Sequence, residues 1–404
     1  MRTGTAAYLE TVLSRIAAVP RCADAMVVGI DPEFLPPGEA MPDLLHGIPV
    51  VDFRRLPIDV APGHTRIFCL ANNDHHAFVF ESLRRQGSRA SGKIVALLHD
   101  PACFMINRFM TGNGTWRQTV EDLDEAVRSQ YGPAGSRLLK ARLDGSMPDI
   151  FEFVTHAHHL ALTKTHEIWV HSLFGLVKLL GESTLQASRF PKIRVCRHPE
   201  PRGIDASRPR ADDGVFRIGV FGYVTAPKRV TSVIRGLALA RDRLGAAAKS
   251  IELVVVGRIP HDTIYDPEGE AMRFDVGGEV RFVDYPSADE FSRLQSDCDL
   301  IFNLRFPSCG ESSGTLATAA ASGAIVVTSR YQAFHEAPGD RSITVLPVFE
   351  DWMIASIIGD AFLGRGAITR PAKHRGQSPA PVEKLLLAEV LTRAGQRSMK
   401  MELS

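Results

Sequence analysis

The sequence predicts an α/β protein made of two doubly wound, Rossmann-like domains. Short apolar or β-branched runs alternate with amphipathic helical patterns in both halves of the chain. The length of 404 residues fits between two and three domains of ~150 residues. Residues 189–217 contain four Pro and many Arg with little periodicity, which is typical of an interdomain connection or hinge.

Composition and charge exclude several classes of protein. Hydrophobic residues make up 45% of the chain and the formal net charge is +1, so a disordered chain and a general nucleic-acid binder are both disfavoured. No apolar stretch reaches the ~18 residues of a membrane span, and Glu10 and Arg15 interrupt the first apolar run, which argues against a secretion signal. The six Cys lie far apart without a CxxC pair and are interpreted as thiols of a cytoplasmic protein.

The first half predicts a parallel sheet covered by helices on both faces. Its strands are expected at Ala25–Ile30, Ile48–Phe53, Arg66–Leu70, Lys93–Leu98 and Glu167–Val170. Its helices are expected at Thr5–Val19, His75–Gln86 and Val120–Ser129, where apolar residues recur with helical spacing.

The second half predicts a complete doubly wound domain. Its strands are expected at Phe216–Phe221, Ile251–Val256, Val280–Val283, Asp299–Leu304, Ala324–Thr328 and Ser342–Leu346. Its helices are expected at Val230–Leu244, Asp289–Ser296, Ser312–Ser322 and Glu350–Phe362, and a last amphipathic helix at Val382–Arg393.

The segment DLIFNLRFPSCGESSGTLATAAASGAIVVT, residues 299–328, carries the strongest chemical signal. A buried strand leads through a Gly-containing loop into a helix that opens with Ser312, Ser313 and Gly314. Free N–H groups and the helix dipole suit a phosphate there, and the small side chains allow close approach. Glu311 would repel a phosphate but could bind sugar hydroxyls. The alternative is that Glu311 or Ser312 only caps the helix.

A second strand-to-helix segment, FGYVTAPKR at residues 221–229, contains Gly222 and Lys228. A cation at the carboxyl edge of the sheet could neutralise a diphosphate. The alternative is a solvated lysine in a surface loop.

These segments resemble the donor domain of GT-B retaining glycosyltransferases of the large family four, which use nucleotide-diphosphate sugars. FGYVTAPKR, ELVVVGR and NLRFPSCGESSGTLATAAASGAIVVTS carry the resemblance. Upstream, LANNDHHAFVFESL, KIVALLHDP and EIWVHSLFG are similar to a subgroup of the family, so the resemblance spans roughly residues 1–365. It implies two Rossmann-like domains that face a central cleft.

The resemblance implies that Lys228 binds the departing diphosphate and that Glu311 contacts the transferred sugar. Tyr223 and Val224 stand where the family usually has an Arg, and Arg305 could supply that charge. The second carboxylate of the family motif falls on Ala319 or Thr318, so the nucleotide could be of the UDP or the GDP type. The donor and its phosphates are expected at Arg305, Gly222, Gly310, Ser312, Ser313, Gly314 and Thr318.

In the first domain, the resemblance places His99 and Asp100 with the catalytic residues at a strand end. The acceptor cleft is expected at Gly4, Thr5, Asn73, His76 and His171. A strand-end His satisfied by backbone and an Asn73 helix cap are the alternatives. The loop at Gly4 begins almost at Met1, so the family's first strand is expected to be missing or replaced.

A set of His residues, His156, His158, His159, His166 and His171, looks rich in potential metal ligands, although His171 ends a strand and is expected in the cleft. His156 and His159 would lie one turn apart on a helix and could share a zinc ion. GT-B enzymes generally need no metal, and we predict no metal site and no bound cofactor.

The predicted domains are an acceptor-binding domain at 1–190, a donor-binding domain at 191–365 and a tail at 366–404 whose helix packs on the first domain. The predicted activity is metal-independent, retaining transfer of a sugar to a glycan, lipid-linked or small-molecule acceptor in polysaccharide biosynthesis. The protein is expected in the cytoplasm, with peripheral contact at the inner membrane face as a further option, and with no nucleic-acid partner. The alternatives are a non-catalytic nucleotide-sugar-binding partner protein and a Rossmann oxidoreductase, which lacks a GxGxxG motif.

Overall fold

The computed structural model describes residues 4–20, 22–35, 38–86, 92–112, 114, 116, 118–185, 191–199, 213–259, 265–284, 286–336, 342–364 and 379–391. The chain divides into two compact units. The first unit comprises Met1–Pro199, Cys309–Ser312 and Ser378–Ser404, and the second comprises Glu200–Ser308 and Ser313–Gln377. Among the helices described, none has the length and apolar character that crossing a membrane requires.

Eleven of the thirteen described strands fall where the apolar runs predict them, with small shifts at their ends, whereas those at Leu44–Leu45 and Lys192–Val195 were not predicted. They are β1 (Val28–Ile30), β2 (Leu44–Leu45), β3 (Ile48–Asp52), β4 (Thr65–Leu70), β5 (Lys93–Leu98), β6 (Glu167–Val170), β7 (Lys192–Val195), β8 (Phe216–Phe221), β9 (Ile251–Val256), β10 (Val280–Val283), β11 (Leu300–Asn303), β12 (Ile325–Ser329) and β13 (Ser342–Val345).

The α-helices include several that the periodicity did not predict. They are α1 (Gly4–Ala17), α2 (Ala77–Arg84), α3 (Phe104–Gly112), α4 (Val120–Leu143), α5 (Ile150–Val154), α6 (His159–Leu162), α7 (Leu173–Leu185), α8 (Val230–Leu244), α9 (Pro267–Arg273), α10 (Ala288–Ser296), α11 (Gly314–Ala321), α12 (Glu350–Phe362) and α13 (residues 382–391).

The second unit is built on a six-stranded parallel sheet with the order β10-β9-β8-β11-β12-β13. The chain starts in the middle at β8, runs to one edge, and returns to β11 on the other side of β8. This is the doubly wound dinucleotide-binding order, and it places a topological switch point between β8 and β11. Apolar residues cover both faces, because Leu253 and Val255 join one core cluster and Val254 and Val256 join another.

The first unit contains a four-stranded parallel sheet in the order β4-β5-β6-β7. Its strands alternate in the same way: Ile94 and Leu98 of β5 pack into one cluster, whereas Val95 and Leu97 pack into the other. The sheet is therefore covered on both faces, as the sequence predicts.

Two of the predicted first-half strands do not join this sheet. β1 and β3 pair in parallel, and β2 adds to β3 in antiparallel orientation, so the three form a small separate sheet. α1 explains the arrangement, because its Leu13 packs on Val28 and Ile48 of the small sheet. Val12 and Ile16 of the same helix pack with residues of the main sheet.

The interdomain connection is shorter than the composition suggested. Lys192–Val195 is a strand that pairs in parallel with β6, so the assignment of connecting structure to residues 192–195 is wrong. Residues 189–190 and 200–212 of the expected connection lie outside the described residues. Beyond the second unit, Val382 and Leu386 of α13 pack in the core cluster of the first unit that contains Trp169.

Candidate functional site

In the second unit, polar side chains gather at the switch point between β8 and β11. Gly222 follows β8, Asn303 ends β11, and the N-terminus of α11 comes after the loop that leaves β11. Open α/β sheets bind ligands at the carboxyl ends of their strands, at the point where the strand order reverses. The sequence signals therefore converge on the position that the topology favours.

Lys228 lies at this point and is buried, with 8% of its surface exposed. It ends a 3-10 turn, Ala226–Lys228, and its Nζ donates a hydrogen bond to the carbonyl oxygen of Phe221, the last residue of β8. A Cβ atom on Gly222 would overlap the same Nζ. Because Lys228 is buried, its interpretation as a solvated surface lysine is wrong. Burying an ammonium group costs free energy.

The residue after Lys228 shows how the backbone holds this turn. Arg229 has φ of 58°, in the left-handed region that non-glycine residues rarely adopt. Its Nε donates to Glu350 Oε1 at 2.6 Å, and Glu350 is almost fully buried. This ion pair stabilises the strained conformation and directs the Arg229 guanidinium to the start of α12.

The start of α11 forms a small hydroxyl network. Asn303 Nδ2 donates to Thr315 Oγ1 at 3.0 Å, and the hydroxyls of Thr315 and Ser313 lie 2.9 Å apart. Ser313 is the helix cap, because its Oγ accepts the N–H of Leu316. The cap proposed at Glu311 or Ser312 is therefore wrong, and the helix begins at Gly314.

Two further expected donor residues, Arg305 and Thr318, are both half-buried. The guanidinium carbon of Arg305 lies 5.4 Å from the centre of the Phe334 ring, so the cation stacks on an aromatic face. Thr318 Oγ1 donates to the Thr315 carbonyl oxygen at 3.0 Å, which directs its side chain along α11.

In the first unit, the candidate residues meet at the carboxyl ends of β4 and β5. Asp100 Oδ2 accepts the backbone N–H of Asn72 at 2.6 Å, and Asn72 Oδ1 in turn accepts the N–H of Ile106 at 3.1 Å. His99 is buried, with 7% of its surface exposed. Burial, followed by the nearby His171, His198 and His76, lowers the pKa of its ring well below the ordinary value.

The segment Cys309–Ser312 belongs to this unit. The Ser312 N–H donates to the carbonyl oxygen of His99 at 2.9 Å, and Glu311 Oε2 accepts the N–H of Cys309 at 2.8 Å. Gly310 has φ of +79° and packs so closely that an added Cβ would lie 2.8 Å from Pro101 and 2.7 Å from Phe174. The segment therefore brings Glu311 close to the strand end that carries His99 and Asp100.

Four rings pack together at the ends of β5, β6 and β7. His99 follows β5, His171 follows β6, and His198 lies shortly after β7. Tyr8 of α1 covers them, with ring centres 4.5 Å from His99, 5.3 Å from His171 and 5.2 Å from His198. Sequence reasoning identified His99 and His171 but missed Tyr8, Asn72 and His198, because they are distant in the chain. Two signals could have identified them: Asn72 and His198 follow strands, and Tyr8 lies on the apolar face of α1 with Val12 and Ile16.

The remaining acceptor candidates are Asn73 and His76, which follow β4, and Gly4 and Thr5, which begin α1. Asn73 occupies the N-cap position of a 3-10 turn, as the alternative has it, but its side chain makes no capping hydrogen bond, and its buried Oδ1 has no hydrogen-bond partner among the described residues. His76 Nδ1 contacts the Cys69 carbonyl oxygen at 2.9 Å, and burial lowers its pKa to about 4. Gly4 and Thr5 form the first turn of α1 rather than a loop.

The His-rich run has a different arrangement from the expected one. His156 lies before α6, which starts at His159, so the two do not share a helical turn. Instead, His156 Nδ1 lies 2.6 Å from Glu182 Oε1, with His158 beside them. Burial raises the pKa of Glu182, but the hydrogen bond and charge of His156 outweigh it and lower the pKa to about 2.

No family model matches this chain, and no curated protein matches it. Solved structures do match. HepE from Anabaena, in complex with UDP and glucose, is 15% identical over 100% of this chain and 96% of its own, with a TM-score of 0.57. The sucrose-phosphate synthase from Thermosynechococcus elongatus is 13% identical over 99% and 94%, with a TM-score of 0.53.

WaaG, a glycosyltransferase involved in lipopolysaccharide biosynthesis, is 13% identical over 90% of this chain and 88% of its own, with a TM-score of 0.51. At these identities the likeness concerns the fold, and the predicted fold class is confirmed. The chain has two units with parallel sheets flanked by helices and shares the fold of GT-B glycosyltransferases.

Proposed function

We propose that the protein transfers a sugar from a nucleotide-diphosphate sugar to a glycan, lipid-linked or small-molecule acceptor, with retention of anomeric configuration. One observation carries the proposal: the buried ammonium of Lys228 lies at the switch point of the second sheet. A fixed cation at that place stabilises negative charge without reorganisation. The shared fold with glycosyltransferases supports the same conclusion.

Lys228 stabilises the charge that develops on the leaving diphosphate. Arg305 and the free N–H groups at the start of α11, near Ser313 and Gly314, add to this stabilisation. Because these groups supply positive charge, the transfer itself uses no metal ion at the diphosphate. Gly222 leaves the room that the Lys228 ammonium occupies.

Glu311 binds hydroxyls of the transferred sugar, and His99 and Asp100 act at the acceptor side. In the reaction, the bond from the anomeric carbon to the diphosphate oxygen breaks, and a bond to the acceptor oxygen forms on the same face. The leaving phosphate oxygen takes the acceptor's proton, so no pair of carboxylates at hydrolase spacing is needed.

The donor is a UDP- or GDP-type nucleotide sugar. HepE, which shares the fold, was solved with UDP and glucose. The position where the family's ribose-binding carboxylate is expected holds Thr318 or Ala319, so the residues of α11 do not decide the base. We therefore choose a panel of both nucleotide types for the test.

The test compares Lys228→Ala and Glu311→Ala with Lys140→Ala, an exposed lysine of α4. We expect the first two variants to lower turnover of the donor that the wild type uses by ~100-fold or more, since each removes charge stabilisation or positioning in the transition state. Lys140→Ala keeps wild-type turnover. Wild-type turnover in both site variants contradicts the assignment.

A non-catalytic nucleotide-sugar-binding protein is the second candidate, favoured by the absence of a carboxylate at Thr318 and Ala319. Calorimetry with the same donor panel, followed by a hydrolysis assay, separates the two. Donor binding without transfer or hydrolysis favours the binding protein.

A further inference from the structure

The cluster at the ends of β5, β6 and β7 has the composition of a metal centre. His99, His171 and His198 each offer a ring nitrogen, and these nitrogens all lie within 4.8 Å of one another. Three successive strands of a parallel sheet carry them, so the sheet itself fixes their spacing. Three imidazoles with an open fourth position are the ligand set of many zinc sites.

The hydrogen bonds of His171 fix its tautomer, and a metal ion would replace the Tyr8 hydroxyl as the partner of the Nε2 lone pair. Its Nδ1 lies 3.1 Å from the carbonyl oxygen of Cys196. A carbonyl oxygen only accepts, so Nδ1 carries the proton and Nε2 is the acceptor, which contacts the Tyr8 hydroxyl at 3.1 Å. A backbone carbonyl that holds one ring N–H while the other nitrogen binds metal is the usual support of a histidine ligand.

The other two rings supply the second observation. Nε2 of His99 and Nε2 of His198 are buried and have no hydrogen-bond partner among the described residues. Buried polar atoms are nearly always hydrogen-bonded, so two orphan nitrogens in one cluster call for a ligand. One cation that binds both Nε2 lone pairs would give each of these nitrogens a partner.

We propose that His99, His171 and His198 bind a divalent transition metal ion, and that Zn²⁺ is the ion that this ligand set fits best. Imidazole suits Zn²⁺, Cu²⁺, Ni²⁺ and Co²⁺ rather than Mg²⁺ or Ca²⁺. Ligands of one tetrahedral zinc ion lie about 3.4 Å apart, so the rings approach slightly on binding. The Tyr8 hydroxyl or a water molecule fills the fourth position.

The second cluster, His156, His158 and Glu182, does not carry the same inference. His156 Nδ1 and Glu182 Oε1 are 2.6 Å apart, which is a hydrogen-bond distance and shorter than two ligands of one zinc ion approach. Tyr131 also contacts His156 Nδ1 at 3.0 Å. This cluster is a hydrogen-bonded network, and it serves as an internal control.

The metal inference goes beyond the proposed transfer and does not depend on it. A metal ion would hold the ring of His99 in place. In the proposed transfer, His99 is then a positioning residue: it orients the adjacent Asp100 and its own carbonyl oxygen, which accepts the Ser312 N–H. The ion would join three strand ends to α1 through Tyr8. Its effect is on the stability of this edge of the first unit.

The experiment uses the full chain, treated with a chelator and then titrated with Co²⁺ and with Zn²⁺ alone. We expect one Co²⁺ per chain with the visible d–d bands of a tetrahedral nitrogen site, displaced by Zn²⁺. Zn²⁺ also raises the unfolding temperature, because it binds only the folded state. Neither readout involves a sugar nucleotide, so this test fails or succeeds independently of the transferase assay.

Three variants locate the site. His198→Ala removes a ligand that the transfer does not use, and we expect metal affinity to fall by ~100-fold or more. His64→Ala, an exposed control, and His158→Ala, in the second cluster, keep wild-type affinity. If His198→Ala is unstable, His198→Gln provides the same loss of ligand. No Co²⁺ bands in the wild type, or equal affinity in His198→Ala and His64→Ala, overturns the proposal.

Discussion

The substitution Gly222→Ala gives a sharp test of the donor site, because it moves the Lys228 ammonium without removing it. Gly222 has φ of +93°, and an added Cβ would overlap Lys228 Nζ and lie 3.2 Å from Thr315 Cγ2. The flexible lysine end must therefore shift. The backbone strain of a non-glycine residue there costs about 1–3 kcal/mol of stability.

The effect on turnover should exceed the effect on folding. A displacement of about 1 Å at a catalytic group costs about 100-fold in rate, which corresponds to about 2.7 kcal/mol in the barrier. We expect Gly222→Ala to lose most of what Lys228→Ala loses, although its lysine is intact.

The assay measures nucleotide diphosphate release with the donor that the wild type uses, at a temperature where each variant is folded. The control is Gly359→Ala in α12, where an added Cβ meets nothing within 4 Å and φ is ordinary. This control should keep full turnover and gain up to about 1 kcal/mol of stability from helix propensity. Equal turnover in Gly222→Ala and Gly359→Ala refutes the assignment of Lys228 to the diphosphate.

Three further predictions concern the free energy of unfolding, measured with urea. Glu182→Gln breaks a buried ion pair and should lower the free energy of unfolding by about 3 kcal/mol. Lys178→Gln should change it by less than about 0.5 kcal/mol, because the Lys178 ammonium lies 3.7 Å from the same carboxylate on a half-exposed side chain. Because folding lowers the pKa of Glu182 to about 2, the stabilisation of the folded protein by this carboxylate is complete above its ordinary pKa and is lost as the pH decreases towards 2. Equal acid sensitivity of the wild type and the Glu182→Gln variant would contradict this prediction. Gly219→Ala places a Cβ that would overlap the Phe221 ring and lie 2.7 Å from Cys298 Sγ, and it should cost about 1–3 kcal/mol through overpacking. Stability equal to that of Gly359→Ala would show that the core relaxes freely.

Much of the second unit could be predicted from the sequence, because its strands are continuous apolar runs between clear turn signals. Ile251–Val256 and Phe216–Phe221 are buried on both faces and have the bounds that the residues suggest. The donor candidates follow from the same logic, since a strand end and a helix start bracket them. What the sequence did not show was the burial of Lys228, which depends on how the 3-10 turn folds back on β8.

The first unit was harder because tertiary contacts override local signals. The helix expected at Val120–Ser129 is followed by a second helical segment that reaches Leu143, and the two segments join at Gly132, whose φ of 65° and ψ of −163° are not helical. Proline is tolerated there because it begins a new helical turn. β7 was missed since it is a short edge strand, and Arg194 is held by its hydrogen bonds to Glu167 of β6.

The residues of the candidate site also divide into those that the sequence predicts and those that only tertiary packing brings together. His99 and Asp100 could be predicted because they end a buried strand. Tyr8 and His198 could not, because 190 positions of sequence separate them and only packing at the sheet edge brings their rings to 5.2 Å. Contacts between segments distant in the chain leave no periodic pattern in a single sequence.

The placement of α13 has a consequence for biosynthesis. Its residues Val382 and Leu386 belong to the core of the first unit, although the second unit is encoded before them. A ribosome that adds ~5–20 residues per second reaches Val382 roughly 10 to 40 s after Pro199. During that interval the nascent first unit lacks two core side chains while the sheet of the second unit can already close. The second unit is therefore complete before the first, although it is synthesised later. Truncation of the chain before α13 should lower the stability of the first unit rather than that of the second unit, which lies next to the truncation in the sequence.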